Sequence, residues 1–77
     1  MEYDYDKIDE IVLSLLFLTS FEEKDWKRAW KGHDWDTLNR LHEKGYISDP
    51  KNKNKSIIMT DEGAKLSKEL FIKYFSK

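Results

Sequence analysis

The chain has no cysteine, one proline and three glycines in 77 residues. Without cysteine, neither a disulfide nor a thiolate metal site can staple the fold. A domain of this length buries a smaller fraction of its surface than a larger one does, so the packing falls on its three Trp, four Tyr and four Phe. A compact core or a dimer is the expected outcome. Long apolar stretches are absent too. The longest, Ile11 to Leu18, is broken by Ser14 and falls well short of the roughly 20 residues that cross a bilayer. The acidic start, Met1 to Asp6, lacks the basic opening of a signal peptide, and neither end carries a lipidation motif. A cytoplasmic protein is expected, and with no repeat, linker or low-complexity segment, residues 1–77 read as a single domain.

Catalytic signatures are missing as well. The chain contains no P-loop, no G-x-S-x-G elbow and no H-E-x-x-H. His33 and His42 lack the i+3 or i+4 spacing that puts two ligands on one helical face. Neither an enzyme nor a metal or cofactor site is expected. His42 reads as a core histidine and His33 as a turn residue.

A net charge of −1 hides a segregation of charge. Residues 1–25 hold eight acids and two bases, residues 26–55 eight bases and four acids, and residues 56–77 four bases and three acids. A basic middle can face phosphate while the acidic end turns away, or the asymmetry can belong simply to a solvated surface.

Apolar spacing predicts a first helix with Ile8, Ile11, Val12, Leu15 and Leu16 on one stripe and Asp6 as its cap. Leu13 and Phe17 fall on the opposite side, so subunit contact is expected there. Ser20 followed by Glu23 reads as a capping box opening a second helix, Ser20 to Lys31, closed by Gly32. On it Trp26, Ala29 and Trp30 share one face, and Lys27, Arg28 and Lys31 the other. Asp34 caps a third helix running to about Lys44, with Gly45 as its left-handed end. Its inward face holds Trp35, Leu38, Leu41 and His42. The three tryptophans are expected to meet in the angle between the second and third helices. Tyr46 to Ser48 and Ser56 to Met59 then form a hairpin around D-P-K-N-K-N-K, where Pro50 fixes the turn entry. Thr60 caps a last helix with Leu66, Leu70, Phe71, Tyr74 and Phe75 on its apolar side and Ile72 off it.

The stretches R-L-H-E-K-G-Y-I (Arg40 to Ile47) and M-T-D-E-G (Met59 to Gly63) give the chain a layout that resembles the winged helix-turn-helix superfamily. That likeness implies a mainly α domain of four helices plus a small two-stranded β-hairpin, the wing. W-K-G-H-D-W-D (Trp30 to Asp36), R-L-H-E-K-G-Y-I-S-D-P (Arg40 to Pro50) and T-D-E-G (Thr60 to Gly63) are more closely similar to a family of small bacterial proteins known only as a domain of unknown function. No activity comes with that similarity.

Winged-helix geometry would place the third helix in the major groove of double-stranded DNA. Thr37, Asn39 and Arg40 are the candidate base contacts, Lys51, Lys53 and Lys55 the wing contacts to phosphate, and Lys27, Arg28 and Lys31 the further backbone contacts. Asp36 and Glu43 lie within one turn of Arg40 and oppose this, by pairing with it and by repelling phosphate. The expected function is a small DNA-binding transcriptional regulator, a homodimer through Leu13, Phe17 and Ile72. The alternative is an adaptor that holds another protein and binds no DNA.

Overall fold

The computed structural model describes residues 1–77. Helix α1 spans Tyr5–Leu18. Its cap is Asp4, not Asp6: the Asp4 carboxylate accepts from the Lys7 amide at 3.0 Å. The deepest line of α1 is Asp9, Leu13 and Leu16, beside a wholly buried Ser14. Leu13, expected on the far side as a subunit contact, is 1% exposed. The periodicity alone could not show this, because α1 packs against both of the other helices and against the sheet. Its orientation follows from those neighbours, not from the densest apolar stripe.

The helix expected from Ser20 to Lys31 is a β-hairpin. Strand β1, Ser20–Glu23, pairs antiparallel with β2, Trp26–Trp30, in the register Ser20 to Ala29 and Glu23 to Trp26. Lys24 turns the chain at φ +57°. The capping box is not used, since the Ser20 hydroxyl donates to the Phe17 carbonyl. Two forces favour the strand: Trp and Phe suit a pleated surface, and β2 gains a second partner on its other side.

Helix α2, Trp35–Glu43, is capped as expected by Asp34, which accepts from the Thr37 amide and hydroxyl. Gly45 ends it at φ +84°, with its amide bonded to the His42 carbonyl and the Tyr46 amide to the Leu41 carbonyl. That is the paired arrangement in which glycine closes a helix. No helix stands one turn ahead of α2, so the helix-turn-helix pair expected over residues 20–44 is not formed.

Strand β3, Ser56–Met59, runs antiparallel to β2, with Ala29 opposite Ile57 and Arg28 opposite Ile58. The expected wing strand Tyr46 to Ser48 is reduced to a bridge between Ile47 and Met59 and a bond from the Ser48 amide to the Ile58 carbonyl. Thr60 caps the last helix, α3, Asp61–Phe75, and its hydroxyl also donates to the Gly45 carbonyl. The architecture is therefore α+β, with three helices and a three-stranded antiparallel sheet in the order β1-β2-β3.

Ala29, Ile57 and Met59 face the helices, where they join Leu13, Leu41 and Leu70 in one core. The molecule is 19 Å across its shortest axis. That leaves room for two layers about 10 Å apart, with α1 and α3 packed on the sheet and α2 on α1.

A Cβ on Gly63 would overlap the Tyr46 carbonyl, which is backbone and cannot swing aside. Gly63→Ala is expected to destabilise the fold by about 3 kcal/mol, the upper end of the usual cost of overpacking. Urea denaturation of the variant measures it.

Candidate interaction surface

The outward face of α2 is not free to read a base. Asp9 is 2% exposed and accepts from Arg40 Nε at 2.9 Å, and Arg40 Nη2 lies 2.8 Å from its Oδ1. Lys44 Nζ reaches the same carboxylate at 2.9 Å and Asp6 at 3.2 Å. The Tyr5 ring covers the Arg40 guanidinium at 4.8 Å. Burial pushes the Asp9 carboxyl upward, but the hydrogen bonds from Arg40 and Lys44 outweigh it and hold the group below the ordinary carboxylate range. The hydrogen bonds to Asp9 hold both cations above their own ordinary values.

Thr37 is wholly buried, with its hydroxyl donating to Asp34 and accepting from Arg40. Asn39 is half-buried. What remains exposed on α2 includes Asp36 and Glu43, so this surface has the wrong sign for phosphate.

The cations of residues 26–31 are also engaged. Lys27 Nζ lies over the Phe17 ring at 5.5 Å, and Arg28 Nε donates to Ser56 Oγ at 2.9 Å. Lys31 Nζ donates to the carbonyls of Pro50 and Asn52 and sits 5.8 Å from the Trp35 ring. It fastens the loop that carries Lys51, Lys53 and Lys55, all three of which are exposed. Of the expected dimer contacts, Leu13 lies in the core, Phe17 is half-buried against Phe71, and Ile72 is 52% exposed beside Phe75. His42, expected inside, is exposed, with Nδ1 3.0 Å from the Ile47 carbonyl.

The tryptophans overturn the reading of a buried cluster. Trp26, Trp30 and Trp35 are 56%, 53% and 54% exposed. Alternation along β2 sends Ala29 to the core and Trp26, Arg28 and Trp30 to the opposite face. Phe21 on β1 packs its ring 5.1 Å from that of Trp30, and half-buried Ile58 on β3 stands opposite Arg28. No helix covers this face. The signal for it lies in W-K-R-A-W, whose large residues repeat every second position, the period of a strand; the capping-box pattern before it masked that period.

Together these features define a small α+β domain whose antiparallel sheet is packed on one face and aromatic and open on the other. The chain belongs to the family described as Domain of unknown function (DUF6429), whose model matches residues 4–77. It is 54% identical, over the full 77 residues of both chains, to the Uncharacterized protein y4hR of Sinorhizobium fredii (strain NBRC 101917 / NGR234). No solved structure matches it. No helix is long and apolar enough to cross a membrane.

Asp9→Asn leaves two cations without their buried partner, and the expected loss is about 3 kcal/mol at neutral pH, the low end of the range because both cations keep access to water. Because the carboxyl is depressed in the fold, its contribution is complete above its unfolded value and disappears as pH falls through the folded one, below about pH 4. Stability against pH is therefore expected to fall less steeply on the acid side in the variant than in the wild type. Iodide is expected to quench most of the native tryptophan emission; blue-shifted, resistant emission would contradict the exposure of Trp26, Trp30 and Trp35.

Proposed function

We propose that the protein is an interaction module that holds another protein on the open face of its sheet. The observation that carries this reading is the exposure of Trp26 and Trp30 on one sheet face, flanking Arg28 and beside Phe21. Trp, Tyr and Arg dominate the energetic centres of protein interfaces, because they offer large, stiff contact area with a polar handle. Arg28 is held in place by Ser56, so less ordering remains to be done on binding.

A second reading is favoured by one feature, the exposed Lys51, Lys53 and Lys55. They suit DNA phosphate in the manner of a wing, and the order α2, lysine loop, α3 is what supports kinship with winged helices. Against it stands α2, whose Arg40 is held by Asp9 and whose exposed carboxylates repel a duplex.

Three forms of the protein separate the two: wild type, W26A/W30A, and K51A/K53A/K55A. Each is immobilised against lysate of its own host and titrated with random duplex DNA at low and moderate salt. The module predicts one polypeptide retained by the wild type and the lysine variant and lost from the tryptophan variant. Loss of a single hot spot of about 2 kcal/mol weakens binding roughly 30-fold. Salt-sensitive DNA binding that disappears in the lysine variant would instead establish the wing as the site.

A further inference from the structure

We infer that the outer edge of β1 takes an extended, lysine- or arginine-rich segment of the partner as an added strand. The inference rests on the interaction-module reading and specifies its partner.

The ladder shows which backbone groups are free. Lys31 donates from its amide to the Lys55 carbonyl at 3.2 Å, so residues 27, 29 and 31 turn their main-chain groups toward β3. Trp26, Arg28 and Trp30 then turn theirs toward β1, where they meet Glu23 and Phe21. The amides and carbonyls of Ser20 and Glu22 therefore point away from the sheet. The opposite edge is closed: the Ser48 amide donates to the Ile58 carbonyl, and the Ile58 amide donates to Ser48 Oγ. β1 is the terminal strand of the sheet, and it contains neither the proline nor the lysine that commonly guards such an edge.

Charge selects the occupant. Glu22 and Glu23 are exposed, so a second copy added antiparallel would bring four carboxylates together. A strand with basic residues on the Glu22 face meets that carboxylate with complementary charge. Glu22 also lines a hollow of about 570 Å³ at the hairpin tip, together with Asp25, Asp61 and the Trp26 ring. Lys24 and Lys27 share this hollow, but Lys27 is drawn over Phe17. Carboxylates beside an indole suit an ammonium or guanidinium head group. Side chains alternate along an added strand: those beside Ser20 and Glu22 would be basic, and those beside Phe21 apolar. The fit is to a segment alternating basic and apolar residues.

The test uses a capped seven-residue peptide alternating lysine and valine, labelled for fluorescence anisotropy, with the whole protein. The expected result is saturable binding, weakened at least about tenfold when glutamate replaces the lysines and again in the E22Q variant. Two N-methylated peptides, blocked at the odd or at the even amides, read the backbone pairing. Only one set of amides faces β1, so one peptide is expected to lose binding and the other to keep it. Equal binding by both, no binding up to millimolar protein, or a protein that dimerises through β1 would overturn the inference. If W26A/W30A still loses a natural partner while the peptides fail in this way, the module stands and the edge does not. If neither partner nor peptide binds, both fall.

Discussion

The pairing of β2 with β3 is the constraint on which the rest of the structure depends. With Ala29 opposite Ile57 and Lys27 opposite Met59, the small and aliphatic residues enter the core while Trp26, Arg28 and Trp30 face outward. A slip of one residue would invert every side chain of β2, pushing two indoles and a guanidinium into a space that now holds Ala29. The helix layer has no room for them, because Leu13, Leu16 and Leu70 already fill it. Register, hairpin and open aromatic face are thus one decision. The bridge of Ile47 to Met59 extends it to the end of α2, so the segment after Gly45 is held by the same sheet.

The ion cluster around Asp9 has a different role. A carboxylate 2% exposed on the deepest line of α1 is tolerated only because Arg40 and Lys44 reach it from α2. Well-packed apolar residues would do as well or better for stability alone. What the cluster fixes is the placement of α2, whose longest cation is turned inward and whose outward surface is left to Asp36 and Glu43. Lys51, Lys53 and Lys55, on the loop between Ile47 and β3, stay exposed, and the Trp26 and Trp30 rings are exposed on the sheet.

Three features set by local chemistry were legible in the sequence, though the cap of α1 lies at Asp4 and not at Asp6. Asp34, Gly45 and Thr60 act where they were expected, because a cap or a left-handed end needs only a few neighbouring residues to form. What escaped was set by contacts distant in the chain. Ser20 and Glu23 have the spacing of a capping box, yet the pairing of residues 27–30 with residues 56–59, far along the chain, makes that segment a strand. The wrong period then placed the tryptophans inside and paired them with the wrong neighbours. Leu13 failed for a similar reason: no wheel drawn for α1 alone reports that partners approach it from several directions. A helix over this segment hides the open face, although its alternating large residues are present in W-K-R-A-W.

The uncovered face also bears on the stability of the hairpin. β1 is four residues long and lies at the end of the sheet, and a strand that short gains little from its ladder alone. The diagonal contact between Phe21 and Trp30, 5.1 Å between ring centres, is the kind of cross-strand pair that stabilises a sheet. It lies on the outer face, where no helix assists it. The rings exposed on this surface are then also those that keep the hairpin closed. A partner that covered Trp30 would shield this contact from water and hold β1 more firmly, so that binding and hairpin order would reinforce one another through the same pair of rings.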